Sequence, residues 1–297
     1  HVSLTTVLRV LKSVESQLPQ QLKPRSFPEV LMVDEFRSHA SYEDKMSFIC
    51  ADGETGELVD ILPSRKLDKI IPYFNRSPLE EREKVKFLVT DMNAAYFQLT
   101  KNVFPTAKLI IDRFHIVKHL NTAFNDFRVR EMKRLITNKK KSKANKLKSN
   151  WKLLLKNQTN ISISEFKTWR SFPSPKYHLL TESMVIDRLL SFSSELKEAY
   201  DIFHLLMYHF RNKDDRSFFE LLKNLPDSLD TQFRDKIENL ISYEEGIRNA
   251  LKYNFSNGKI EAKNTHIKTL KRVSYGFNSF TNMRIRIFLI NGLIKIK

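Results

Sequence analysis

The sequence predicts an α/β fold: a mixed five-stranded sheet with helices on both faces, interrupted by a large all-helical insertion. Three observations predict it. Short apolar runs at 30–34, 45–50, 57–62, 85–90 and 108–111 read as strands, and the intervals among the last three read as helices. Strand signals then fade from about residue 113 to 255. A polar helical stretch and a final helix close the chain.

Residues 3–17 read as a short helix opened by a Ser or Thr cap. Their Ser-x-x-Thr-Val-x-Arg-Val start is common in the second helix of helix-turn-helix units, and an ordinary surface helix is the alternative. Residues 18–28 carry Pro19, Pro24 and Pro28 and read as a linker. Val30–Asp34 is a buried strand ending in acid, and Lys45–Cys50 is a second strand. Gly53 and Gly56 mark the turn into a third strand, Glu57–Leu62. A helix over Lys66–Asn75, a strand over Val85–Thr90, a helix over Met92–Lys101 and a strand over Lys108–Ile111 follow. Three strands in tight succession and then helix, strand, helix, strand is the order of the ribonuclease H-like fold. The domain expectation is therefore a 1–17 helix-turn-helix-like end, an 18–28 linker, a core of 29–127 plus 253–297, and a helical insertion over 128–252.

Charge is the first functional clue. Lys and Arg total 51 against 34 Asp and Glu, a net charge of +17. Such a chain attracts polyanions and releases their counterions on binding, so nucleic acid is the leading partner. A solvated surface in a lysine-rich protein is the plain alternative. No stretch approaches 18 uncharged apolar residues, which argues against a membrane-spanning helix. One cysteine, Cys50, excludes disulfides and cysteine-based zinc sites within these residues and fits a reducing cytoplasm.

Asp34 and Asp91 both directly follow apolar strands. Carboxylates at neighbouring strand ends can converge on one sheet edge and hold a pair of Mg²⁺ ions, which would activate the attacking oxygen and stabilise the leaving oxygen of a phosphodiester. Acids there also cap helices, so Asp91 could simply cap the helix after it. Glu261 decides the matter. On a helix at about 100° per residue, Lys268, Arg272, Asn257, Thr265, Asn264 and Lys271 lie within about 80° of it. Ile260, Ile267, Leu270, Val273 and Ala262 lie about 100° or more away, which predicts an apolar face. A lone carboxylate ringed by amides and cations is either a salt-bridged solvated face or a metal ligand whose neighbours grip phosphates.

Other candidates compete. Asp112 and His115, just after the fifth strand, would share a helix face; a cap and a core-edge histidine are the alternative. Glu35 must point away from Asp34, because strand side chains alternate. Glu43-Asp44 reads as a solvated turn, and Glu244-Glu245 as a rival third ligand. Arg128–Lys156 holds twelve Lys or Arg against one acid, Glu131. Its run Lys139–Lys148, including Lys139, Lys140, Lys141 and Lys143, reads as a phosphate-gripping arm ending at Trp151, or else as a disordered solvated loop. Tyr200, Phe203, Tyr208, Phe210, Phe218 and Phe219 read as core of the insertion.

The stretches VLMVDEF at 30–36, VTDMNAAY at 89–96, IDRFHIVKHLN at 111–121 and SNGKIEAKNTHIKTLKRVSYGF at 256–277 resemble the ISL3 family of bacterial insertion-sequence transposases, within the DDE superfamily. The resemblance implies a ribonuclease H-like core with Asp34, Asp91 and Glu261 as catalytic, metal-binding triad. It implies two Mg²⁺ (or Mn²⁺) ions, cleavage and strand transfer at transposon ends, and double-stranded terminal repeats and target DNA as partners. It further implies homo-oligomeric synapsis and action at the bacterial nucleoid, while the hydropathy already gives the expectation of no membrane partner. Asp112 and His115 match an Asp-x-x-His element found near the site in several DDE families. Asn264, Lys268, Lys271 and Arg272 are expected to position the strand, and Lys139, Lys140, Lys141 and Lys143 to hold flanking DNA. Ala262 stands where many relatives have glycine. The rival readings are another nuclease or resolvase of the same fold, and a non-catalytic DNA-binding derivative of a transposase.

Overall fold

A computed structural model describes residues 26–38, 45–173, 176, 179–277 and 279–293, together with Ser3, Thr5, Thr6, Arg9, Val10 and Ser13. Thr5, Thr6, Arg9, Val10 and Ser13 are helical, in keeping with the expected helix. Residues 18–25 of the expected linker, and Glu43-Asp44, lie outside the described residues. The chain divides into two units, residues 1–113 with 253–297, and residues 114–252.

The first unit is built on the expected mixed sheet, a ribonuclease H-like α/β arrangement. Its strands are β1 (Val30–Arg37), β2 (Met46–Asp52), β3 (Leu58–Leu62), β4 (Phe87–Thr90) and β5 (Lys108–Ile111), in the order β3-β2-β1-β4-β5. β1, β2 and β3 pair antiparallel; β4 and β5 join parallel to β1. A tight turn joins β2 to β3. Gly53 is required there, because a Cβ would run into the Val30 side chain. Gly56 supplies a φ of +75°, a region costly for residues with a Cβ. The parallel half needs crossovers, which α1 (Leu67–Asn75), α2 (Leu79–Arg82) and α3 (Ala94–Asn102) provide.

Strand alternation sorts the sheet's faces. Leu31, Val33, Phe48, Cys50 and Leu88 pack with Ile70 and Phe74 of α1 and Tyr96 and Leu99 of α3 in one core. Val30, Met32 and Asp34 alternate with that set. The two late helices of this unit are α12 (Gly258–Val273) and α13 (Phe280–Ile290). Arg284 of α13 reaches the fully buried Asp60 of β3, with Nη2 at 2.6 Å and Nε at 3.2 Å from Oδ1. Tyr73 donates its hydroxyl to the other Asp60 oxygen.

The second unit is helical: α4 (Arg113–Thr137, whose first residue closes the first unit), α5 (Lys141–Ser149), α6 (Trp151–Leu154), α7 (Glu182–Leu190), α8 (Ser194–Arg211), α9 (Asp215–Lys223), α10 (Thr231–Glu238) and α11 (Glu244–Lys252). Thr181, Ser193, Asp214 and Asp230 cap α7 to α10, each accepting from a backbone N–H in the first turn. Phe124 of α4 stacks on Phe203 of α8 with ring centres 4.8 Å apart, and Phe233 joins edge-on. Tyr200, Phe203, Phe210, Phe218 and Phe219 are buried as expected, whereas Tyr208 is exposed. The sequence pattern puts the edge of the insertion at 127/128. The contacts divide the chain at 113/114 instead, because α4 is unbroken and its Phe124 and Phe127 belong to the helical core.

A row of carboxylates at the sheet edge

Met32 pairs with Val89, and Val89 with Ile110. Two residues further along each parallel strand stand Asp34, Asp91 and Asp112. The register therefore sets three aspartates in one row, Asp34 within β1 and Asp91 and Asp112 one residue past the ends of β4 and β5. Asp34 is not at a strand end, contrary to the expectation from the sequence: β1 runs on to Arg37, where it pairs only with β2. Capping is not the work of Asp91. Asn93 caps α3, accepting from the Ala95 N–H at 3.1 Å, and Asp91 Oδ1 accepts from the Asn93 N–H at 3.1 Å. Glu35 does point to the other face, where Arg65 holds it at 2.8 Å.

Helix α12 brings Glu261 to this row. The preceding segment is fixed by Phe87, whose ring lies 4.8 Å from that of Tyr253 and 5.0 Å from that of Phe255. The Asn257 N–H then donates to Oδ1 of the buried Asp112 at 3.2 Å. Along the helix, Lys259 Nζ donates to the Gly53 carbonyl at 3.2 Å. Asn264 Nδ2 donates to Asp34 Oδ2 at 2.7 Å. Lys271 Nζ donates to the Arg37 and Ser38 carbonyls at 2.6 and 2.9 Å. Ile260 and Ile267 are buried between these ties, each contributing about 1.5–3 kcal/mol. The inward stripe is thus Asn257, Ile260, Asn264, Ile267 and Lys271. That corrects the predicted apolar face: Val273 and Ala262 are exposed, while Asn257 and Asn264 are buried. Glu261 stands at the rim of the stripe, exposed, with a carboxylate oxygen within 4.8 Å of one from Asp112.

The electrostatics record the same gathering. Burial pushes the Asp34 carboxyl up to about 6, and the negative charges of Asp91, Glu35 and Glu261 push in the same direction against the Glu35 N–H, which favours ionisation. Burial, reinforced by the Arg37 charge, holds the Lys271 ammonium below its usual range.

The expected DNA contacts separate into two kinds. Lys268 and Arg272 are exposed on α12. Asn264 and Lys271 face inward on protein groups instead. In the helical unit, Lys139, Lys140 and Lys141 are exposed where α4 turns into α5, with Lys139 at a φ of 59°. Lys143 lies half-buried, its ammonium 5.2 Å from the Phe192 ring centre. The run is an ordered helical turn, not a loop. His115 sits in the first turn of α4, half-buried, its ring 5.6 Å from that of Phe114. Glu244 is held by Lys223 at 2.8 Å and Arg248 at 2.7 Å, which leaves it bound within its own unit. Nothing in the sequence pattern marks Asp60, Lys259 or Arg284 for these contacts.

Comparison with known proteins places these residues in context. A family model described as transposase, of the DDE ISL3 type, matches residues 31–287. The transposase for insertion sequence element IS1001 of Bordetella parapertussis is 22% identical over 250 residues, which cover 84% of this chain and 57% of that protein. A protein named ATP-dependent protease, from Lactococcus lactis subsp. lactis, is 40% identical over 116 residues, covering 38% of this chain and 36% of that protein. The chain thus spans between about one third and three fifths of the length of these two curated relatives.

Proposed function

This chain belongs to the ISL3 family of DDE transposases, and on that premise we propose that it cuts and joins DNA at the ends of an insertion sequence, with Asp34, Asp91 and Glu261 as its metal-holding triad. The observation that carries the reading is the register that puts Asp34 of β1 level with Asp91, just past the end of the adjacent parallel strand β4, with a charge at Glu261 that Asp34 feels.

Divalent metal use comes with the family, and the residues fit it. Carboxylate oxygens are the hard donors that Mg²⁺ and Mn²⁺ prefer. Asp91 and Glu261 raising the proton affinity of Asp34 is a charge imbalance that a cation relieves. Asn264 Oδ1 is buried beside Asp34 with no hydrogen-bond partner among the described residues, a further oxygen suited to a hydrated ion. When bound, two such ions supply Lewis acidity at the attacking and leaving oxygens of a phosphodiester.

The chain's own residues do the rest. Asp34, Asp91 and Glu261 hold the charge that the reaction needs at one spot. The Glu35 N–H and the Asn264 amide each donate to one oxygen of Asp34, which fixes its direction. Lys268 and Arg272 project from α12 to meet phosphate oxygens, a contact that positions DNA without reading its sequence. Water attacks the strand at the element's end and leaves a 3′-hydroxyl; that hydroxyl then attacks a phosphodiester of the target. No side chain forms a covalent bond to DNA in this scheme. The partners are double-stranded ends and target, joined in a synaptic homo-oligomer in the bacterial cytoplasm. Among the described residues no helix is long and apolar enough to cross a membrane.

The protease name belongs to the relative that bears it. The six glycines here include no G-x-x-x-x-G-K-[ST] spacing to cradle nucleotide phosphates.

The test is incubation of the purified chain with a plasmid carrying the DNA that flanks its coding sequence. Nicking and strand-transfer products are expected with Mg²⁺ and not with EDTA. Asp34→Ala, Asp91→Ala and Glu261→Ala each abolish them while DNA binding persists. Hydrolysis without strand transfer would favour a nuclease or resolvase of the same fold. Full activity in any of the three variants would overturn the triad.

A further inference from the structure

We propose that Asn264 is a positioning residue of the metal site: it locks Asp34 in the ligating orientation and ties the helix bearing Glu261 to the strand bearing Asp34. The inference rests on the triad reading and goes beyond it, since it moves Asn264 from DNA contact to metal-site support.

Three observations carry it. The Asn264 side chain is only 7% exposed, so it offers little to a DNA backbone. Its Nδ2 donates to Asp34 Oδ2 at 2.7 Å, a charge-assisted bond spanning 230 residues of chain. The other Asp34 oxygen already accepts the Glu35 N–H at 2.7 Å. Each carboxylate oxygen therefore has one fixed donor, and the carboxylate cannot rotate without losing both bonds. What remains on each oxygen is lone-pair capacity for a cation.

The placement of Asn264 on α12 gives the bond a second consequence. Asn264 follows Glu261 by three residues, so the two lie about 60° apart around the helix. A bond from Asn264 to Asp34 sets both the azimuth of the helix and its height along β1. Neighbouring ties act at other levels: the Asn257 N–H on Asp112 two turns earlier and Lys271 on the Arg37 and Ser38 carbonyls two turns later. Of these three ties, the one from Asn264 ends on a member of the triad. Its Oδ1, buried and without a hydrogen-bond partner among the described residues, is the acceptor this arrangement leaves for the hydrogens of a metal-bound water or a substrate hydroxyl.

The test is Mn²⁺ binding to the whole chain without DNA, followed by calorimetry and by electron paramagnetic resonance. Groups that orient metal ligands typically cost roughly 10–100-fold in affinity when removed. Asn264→Ala is expected to fall in that range and to broaden the Mn²⁺ spectrum. Asn264→Leu, which removes the donor at nearly the same volume, is expected to lose as much. Asn264→Gln keeps an amide donor and is expected to recover part of the affinity. Ile267→Ala on the same helix controls for stability: its melting temperature falls while its Mn²⁺ affinity stays near that of the parent, since no ligand orientation changes. DNA binding in EDTA is expected to be unaltered by Asn264→Ala. Parental Mn²⁺ affinity in both Asn264→Ala and Asn264→Leu overturns the proposal, as does equal loss in Ile267→Ala. Glu261→Gln separates the two layers of argument: if it too keeps parental affinity, the triad reading itself has failed, and if it alone loses affinity, only the role of Asn264 has.

Discussion

Replacing Asp34 by asparagine should stabilise the metal-free protein, the opposite of what most substitutions of a part-buried polar residue do. The carboxyl sits at about 6 instead of 3.8, so ionising it in the fold costs about 3 kcal/mol more than in the unfolded chain. The sign follows from linkage. A raised folded value means the stabilising form is the protonated one, fully present below pH 3.8 and lost as pH rises through about 6. The Asp34→Asn variant, with no proton to lose, escapes that cost. Its amide oxygen still accepts the Glu35 N–H, and Asn264 can turn its own amide to present Oδ1 to the new Nδ2, at a residual cost of about 1 kcal/mol. The net gain at pH 8 is about 2 kcal/mol, or roughly 4–8 °C for a unit of this size. Thermal melts in EDTA from about pH 3 to 8 should show the variant slightly below the parent at the acid end, overtaking it between pH 3.8 and about 6, and holding a constant lead at higher pH. Mn²⁺ should then reverse the order by stabilising the parent alone. A variant less stable than the parent at pH 8 in EDTA, with a gap that ignores pH, would refute the claim that Asp34 is a strained carboxylate kept for a cation.

Other consequences can be measured separately. Arg284→Ala leaves the buried Asp60 charge with only Tyr73 and the Ile61 N–H, and should cost about 3–5 kcal/mol in urea unfolding, whereas replacing both partners by apolar residues should cost much less. His204 is buried against the Leu154 carbonyl, and burial lowers its pKa from 6.5 to about 4. A depressed value contributes stability that is present above pH 6.5 and lost as pH falls through 4, about 3 kcal/mol in all, so His204→Gln should flatten the acid limb of the urea midpoint. Lys139→Ala, Lys140→Ala and Lys141→Ala together should weaken DNA binding and lower the slope of log K against log salt by about 0.9 for each phosphate no longer neutralised; an unchanged slope would exclude the exposed turn from the DNA interface.

How much of this is legible in the sequence depends on what governs each residue's position. The five strands are legible because Val30–Val33, Leu88–Val89 and Leu109–Ile111 are buried on both faces and read as unbroken apolar runs. The pairing of β2 with β3 follows from the tight turn that holds Gly53 and Gly56, and the parallel pairs from the longer helical crossovers. Helix α12 is legible only in part. Angular periodicity assigns polar residues outward, but Asn257, Asn264 and Lys271 face inward because carboxylates and carbonyls of the sheet edge satisfy them. The 3-4-3-4 spacing of Asn257, Ile260, Asn264, Ile267 and Lys271 is the available signal, and only the two isoleucines register as core. Asp60 gives no such signal, because an acid within Leu58–Leu62 reads as one solvent-facing position and its partner Arg284 lies 224 residues away. The edge of the helical unit is hidden because no sequence feature interrupts α4; the packing of Phe124 and Phe127, not a break in periodicity, decides where it belongs.

The most direct measurement is anomalous diffraction from crystals of this chain soaked in Mn²⁺. The account predicts density for the ion between the carboxylates of Asp34, Asp91 and Glu261, and its loss in Asp91→Asn crystals soaked the same way. Manganese bound only elsewhere, or density at the row that survives the substitution, would contradict it.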